Sequence, residues 1–316
     1  SGGLAILTSN DNAPMDGQQL LPDGSGWHVA GFADFDGAGT SDLVLRHDDG
    51  RTQVWALDGI GVARVTELAD LASDDAIEAI GDFDGDGKDD LLVKAADGSL
   101  AIWTMDGPAV KSRSALADPK AGLAFLAVAD LDADGQADLV LATATDIRLQ
   151  SIAGAAGGRF TDIAWPAEGW KVARGGDFDG DGRTDLVLEG PAGEAALWRL
   201  DGLSPPLRSA LAIPAGWRVS DVVDFDGDFA DDLVLEGPNH QVAIATLGRD
   251  YAISSLTAVP AGGDWRLVQV ADFDGDGGLD LLFTSGAGEL KSLRYRNGAF
   301  LGVVVLSHPT AWRVLP

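Results

Sequence analysis

Six segments of one design recur along this chain at nearly constant spacing, beginning at Asp34, Asp82, Asp130, Asp177, Asp224 and Asp272. The steps between them are 48, 48, 47, 47 and 48 residues. Residues 177–188, DFDGDGRTDLVL, show the design: carboxylates at alternate positions, glycines between them, then an apolar run. A period of this length makes each repeat one supersecondary unit that buries its apolar face against its neighbours. The 316 residues therefore read as a single repeat domain, although length alone would suggest one large or two ordinary domains.

One repeat can be read from Trp170. Residues 170–176 predict a first strand that runs into the carboxylate loop 177–185. Leu186–Leu188 predict a short second strand, apolar enough for burial on both faces. A turn at Glu189–Gly193 leads to a third strand over 195–200. Asp201-Gly202 is a hairpin signal, because both residues tolerate positive φ, and a fourth strand follows over 207–213. The hairpin recurs as Asp58-Gly59, Asp106-Gly107 and Asn297-Gly298, whereas residues 153–158 replace it in the third repeat. Four short antiparallel strands per unit predict an all-β fold of propeller blades with almost no helix.

The phase sets the predicted blades at about 27–74, 75–122, 123–169, 170–216, 217–264 and 265–311. Each opening position, a tryptophan in all but two repeats, lies seven residues before its first aspartate, so Trp312 points to a seventh loop beyond Pro316. Residues 4–7 match the phase of a third strand. The expectation is a seven-bladed β-propeller whose closing blade joins residues 312–316 to residues 1–26. That blade falls 17 residues short, the length of one loop and one strand, which a segment from elsewhere could supply.

Composition narrows the function. Hydrophobic residues make up 46%, enough for a substantial core, and the formal charge is −28. So acidic a surface repels nucleic acid and anionic lipid. No apolar run reaches the length of a membrane-spanning helix, so membrane insertion is not expected. Cysteine is absent, which excludes disulfides and thiolate metal sites. The Ser-Gly-Gly start has no signal-peptide pattern; zero cysteine fits a secreted bacterial protein whose leader is not part of this chain.

Carboxylates crowded this closely repel unless a cation lies among them. Calcium takes six to eight oxygens, and a tight loop of aspartates supplies them. In the second loop Asp82, Asp84, Asp86 and Asp90 converge at positions 1, 3, 5 and 9, while Lys88 at position 7 offers its carbonyl. The same positions are Asp130, Asp132, Asp134, Gln136 and Asp138 in the third loop, and Asp177, Asp179, Asp181, Arg183 and Asp185 in the fourth. They are Asp224, Asp226, Asp228, Ala230 and Asp232 in the fifth, and Asp272, Asp274, Asp276, Gly278 and Asp280 in the sixth. About five calcium sites are expected. The first loop has Ala38 at position 5, leaving Asp34, Asp36 and Asp42, so a sixth site there would be weak or absent. Glycine suits positions 4 and 6, so Ala133 at position 4 and Phe229 at position 6 should strain their turns. Phenylalanine at position 2 alternates away from the ion and should be core.

These loops, each followed by an Asp-Leu-Val-Leu-type strand, resemble FG-GAP/VCBS repeats, known from integrin α-subunit propellers and bacterial extracellular proteins. Glu236-Gly-Pro238 after Asp232–Leu235 is similar to the end of that pattern. The resemblance implies a seven-bladed propeller with calcium, mainly structural, in the hairpin between first and second strands.

Other chemistry is thin. Trp27, Trp170, Trp217, Trp265 and Trp312 open first strands; packing between blades explains them, and ligand pockets on the face opposite the loops are the sharper alternative. Glu189 and Glu236 stand one repeat apart as turn carboxylates and do not suit a glycosidase pair. The leading expectation is a non-enzymatic, calcium-stabilised, extracellular or surface-displayed propeller for adhesion or recognition of a protein or glycan. The alternatives are a lectin with pockets between blades and a polysaccharide-active enzyme.

Overall fold

The computed structural model describes residues 4–8, 16–21, 24–58, 61–116, 124–152, 158–273, 276–287 and 289–306. They form six four-stranded antiparallel sheets, each with its strands hydrogen-bonded in chain order. These are β-propeller blades, and the only helical element among the described residues is a single 3-10 turn at Pro238–His240. Blades one to six begin with the strands Trp27–Ala33, Ala76–Gly81, Ala124–Ala129, Lys171–Gly176, Arg218–Val223 and Arg266–Ala271. They end with Gly61–Glu67, Ala109–Ala115, Phe160–Ala164, Leu207–Leu211, Ile253–Ala258 and Ala299–Leu306.

The expected seventh blade is corrected to six. Leu4–Thr8 and Asp16–Leu21 pair with each other as a separate two-stranded sheet. Among the described residues no further strand pairs with this hairpin. Trp312 and residues 313–316 lie outside the described residues.

The blades fall into two compact units. One contains residues 18–166, with blades one to three; the other contains residues 167–200 and 206–316, with blades four to six. Within each unit the core lies between successive blades. Second strands such as Asp185–Glu189 supply residues hidden on both faces, which is why their sequences are continuously apolar. Phe178, Val187, Leu197, Leu233 and Leu235 form one such cluster between blades four and five.

Each first strand carries one extra residue opposite the second strand: Ala30, Glu78, Leu126, Ala173, Ser220 and Val268 fall at six equivalent register shifts. A bulge at a fixed place increases local twist and re-aims the strand where it enters the loop.

Candidate metal centres

Each loop is built around its first aspartate. The Asp82 carboxylate accepts the backbone N–H groups of Gly85 (2.7 Å), Asp86 (3.2 Å) and Gly87 (2.8 Å). Asp177 and Asp224 repeat this pattern, with Gly182 and Phe229 as their position-6 donors. The bond to position 6 recurs from Gly39 to Asp34, Gly135 to Asp130 and Gly277 to Asp272. Closing so tight a ring needs positive φ at positions 4 and 6. Gly85 (76°) and Gly87 (80°) adopt it freely, whereas Ala133 (60°) and Phe229 (68°) are forced into it, so both expected strains are present.

Position 5 turns back on position 7. The N–H groups of Lys88, Gln136, Arg183, Ala230 and Gly278 donate to Asp86, Asp134, Asp181, Asp228 and Asp276 at 2.8–3.1 Å. Position 2 points into the core as expected: Phe35, Phe83, Leu131 and Phe178 are completely buried.

The ninth position holds more than sequence reasoning assigned to it. Asp42, Asp90, Asp138, Asp185, Asp232 and Asp280 each open a second strand and are buried. Asp90 accepts the N–H of Phe83 in its own loop (3.0 Å) and that of Met105 at the end of the third strand (2.8 Å). Asp138 does the same with Leu131 and Ile152, and Asp232 with Phe225 and Leu247. This aspartate therefore ties loop, second strand and third strand together. Burial pushes the carboxyls of Asp90, Asp138 and Asp185 up to about 7 and that of Asp232 to about 6; neighbouring loop carboxylates add to the shift and the backbone bonds oppose it. The recurring donor-acceptor spacing was the available signal, but spacing does not show which oxygen faces which partner.

Four loops gather three carboxylate oxygens within 4.8 Å of one another: Asp82, Asp84 and Asp86; Asp130, Asp132 and Asp138; Asp177, Asp179 and Asp181; Asp224, Asp226 and Asp232. Asp34, Asp36 and Asp42 do not form such a group. Asp274 lies outside the described residues, so the sixth loop shows only Asp272, Asp276 and Asp280. Buried oxygens of Asp84 (Oδ1), Asp226 (Oδ1) and Asp185 (Oδ2) face no hydrogen-bond donor. An all-oxygen set with unsatisfied buried lone pairs fits a hard divalent cation.

As expected, Trp217 packs against the core between blades four and five and Trp265 against the core between blades five and six, while Trp312 lies outside the described residues. A Cβ on Gly190 would lie 2.9 Å from the Trp170 ring, and one on Gly237 would lie 2.5 Å from the Trp217 ring. Trp27 meets His47 edge-on, and Lys291 Nζ lies 4.1 Å from the Trp265 ring centre. Beside Trp217, a cavity of about 80 Å³ is lined by Glu189, Glu194, Ile213 and Arg218. Small-molecule pockets usually measure about 300–1,000 Å³. Glu189 accepts the Val219 N–H (2.7 Å) and pairs with Lys171 (3.1 Å), while Glu236 pairs with Arg218 (2.5 Å) and His240 (3.2 Å).

A family model described as FG-GAP-like repeat matches residues 82–141 and 130–188, which span the second, third and fourth loops. Residues 82–188 are FG-GAP-like repeats. Outside the matched range, the fifth loop repeats the carboxylate grouping of this segment, and the first and sixth share its position-6 bond to the leading aspartate. A search of curated proteins gives no match. Among solved structures, the Photorhabdus luminescens Tc holotoxin pore aligns over 93% of this chain and 16% of its own, at 18% identity and a TM-score of 0.52. The chain thus spans about a sixth of that polypeptide. BBS1N, solved in complex with ARL6DN, aligns over 90% of this chain and 82% of its own, at 17% identity and a TM-score of 0.52. At these identities the likeness is one of fold.

Proposed function

We propose that the chain is a calcium-stabilised recognition propeller that works outside the cell and performs no catalysis. The observation that carries this reading is the convergence of three carboxylate oxygens within 4.8 Å in each of four loops, with buried oxygens of Asp84, Asp185 and Asp226 lacking any donor. The residues to hold calcium are the loop aspartates, including Asp134, Asp228, Asp272 and Asp276, together with the carbonyls of Lys88, Gln136, Arg183, Ala230 and Gly278. Bound calcium would supply charge neutralisation, and the chain itself would do the rest. The first aspartate closes the loop through backbone N–H groups, and the ninth, as Asp90, Asp138 and Asp232, fixes that loop to the third strand.

Exposed loops of this kind resemble calcium modules that fill at about 10⁻⁴–10⁻³ M, a concentration range found outside cells. That supports an extracellular or surface location. Glu189 and Glu236 are engaged by structural partners, which leaves no free carboxylate pair at these positions for hydrolysis. A rigid blade array instead suits presentation of surface loops to a protein or glycan partner. FG-GAP-like repeats across residues 82–188 agree with a binding role.

The test is calorimetric. Metal-stripped protein titrated with calcium chloride should bind several equivalents with dissociation constants near 10⁻⁴ M and gain at least several degrees in Tm. An unchanged Tm from excess chelator to 10 mM calcium would overturn the calcium reading.

A further inference from the structure

The loops do not share one electrostatic setting. In the second loop Lys111 Nζ lies 3.1 Å from Asp84 Oδ2 and 3.3 Å from Asp86 Oδ2. In the fourth, Arg199 Nε lies 2.9 Å from Asp179 Oδ2 and its Nη2 lies 3.7 Å from Asp181 Oδ2. In the sixth, Arg296 Nη2 lies 3.3 Å from Asp276 Oδ2 and donates to the Asp276 carbonyl at 2.8 Å. The fifth loop differs. Among the described residues no basic side chain pairs with the carboxylates of Asp224, Asp226, Asp228 or Asp232, and the nearby Arg249 donates to the Asp228 carbonyl instead.

Counted from the first aspartate of its loop, Arg199 lies 22 residues on, Arg296 24 and Lys111 29, so no two occupy the same repeat position. Arg199 and Arg296 end the third strands Ala195–Arg199 and Leu290–Arg296, whereas Lys111 lies in the fourth strand Ala109–Ala115. Lys111 is moreover the residue left without a partner where the register shifts between Val110 and Ser112. A bulge there re-aims one side chain without disturbing the rest of the ladder. Three unrelated scaffold positions thus deliver positive charge to the same kind of loop. In the second loop the lysine takes Asp84 Oδ2 and leaves Oδ1 buried without a donor.

We propose that Lys111, Arg199 and Arg296 are resident counter-cations, which hold the second, fourth and sixth loops closed without metal and make them weaker calcium sites than the fifth. The inference rests on the calcium reading above. A fixed unit charge about 4–6 Å from an incoming divalent ion repels it, and at water-like screening this costs about a factor of ten to thirty in affinity. The same charge relieves carboxylate repulsion in the metal-free state, so the two effects have opposite sign and can be read separately.

The experiment titrates the full chain, labelled with ¹⁵N-glycine and stripped of metal, with calcium chloride. Gly85 and Gly87 report the second loop, Gly180 and Gly182 the fourth, and Gly227 the fifth. The expected result is that Gly227 shifts at the lowest calcium concentration. Lys111→Met should lower the midpoint of Gly85 and Gly87 by about tenfold to thirtyfold, leave Gly227 unmoved and lower the metal-free Tm. Lys111→Arg should restore both readings, and Arg296→Met gives a second, independent variant. A Lys111→Met midpoint that stays or rises overturns the proposal, as does a fifth loop that fills last. If no loop glycine responds in the wild type, the calcium reading fails by itself. The metal-free Tm then decides, and an unchanged Tm in Lys111→Met overturns the counter-cation role as well.

Discussion

Asp231 and Asp177 clasp two successive blades at two points: the Asp231 carboxylate accepts the Asp177 N–H at 2.8 Å, and the Asp231 N–H donates to the Asp177 carbonyl at 2.7 Å. Asp89 and Asp34 make the same pair at 2.6 and 2.8 Å. Between the second and third loops Ala137 keeps only the backbone half, donating to the Asp82 carbonyl at 2.6 Å. Removing the carboxylate leaves a part-buried N–H without its acceptor, which costs about 1–3 kcal/mol. Asp231→Ala should therefore lower stability by that amount in urea unfolding, with the loss concentrated in blades four and five by hydrogen exchange.

Phe229 is 82% exposed and stands at φ 68° in a position that glycine fills in the other loops. Its ring buries little, so replacing it forfeits little packing, while the backbone strain of about 1 kcal/mol is released. Phe229→Gly should raise Tm by about 2 °C in a chain of this size. A Tm at or below that of the wild type would show that the ring has a partner in the fold.

The buried carboxyls set the pH response of the metal-free protein. Asp90, Asp138 and Asp185 titrate near 7 in the fold against an ordinary value of 3.8. Between those limits the native state holds more protons than the unfolded chain, so stability falls as pH rises. Metal-stripped protein should be more stable at pH 5 than at pH 7.5. Saturating calcium favours the ionised form and should flatten or reverse that slope. Thermal unfolding at the two pH values, with and without calcium, checks both signs.

Gly237 has no room for a side chain, because its Cβ would sit 2.5 Å from the Trp217 indole. Gly237→Ala should displace that ring, shift its fluorescence and cost about 1–3 kcal/mol. Adding Trp217→Ala should make the glycine substitution nearly neutral, which a double-mutant cycle would detect.

Much of this was legible in the sequence, for reasons that vary by residue. The phase of the aspartates located all six loops and second strands, because a metal-loop pattern and an apolar strand each have rigid spacing. Phe83 and Phe178 declared themselves core by alternation, and Asn297-Gly298 its hairpin by residue types that tolerate positive φ, which they adopt at 46° and 73°. Asp90 read as a ligand equal to Asp82, since spacing cannot reveal that both its oxygens meet backbone N–H groups. Asp89 and Asp231 passed unnoticed because their partners lie about one repeat away. The seventh blade was over-read: phase shows where a strand would fall, whereas a blade also needs a neighbour to pair with.

In the second, third and fifth blades the ninth aspartate is a single latch, one carboxylate oxygen taking the loop and the other the third strand. Its carboxylate cannot turn away from the loop and keep the third strand, because Oδ2 holds the one and Oδ1 the other in a single planar group. Partial opening is thus disfavoured, and a protease attacking a loop tip would find a blade either shut or wholly undone. Survival of the protein in a hostile medium would then depend on how rarely a whole blade lets go, and hardly at all on how often a loop breathes.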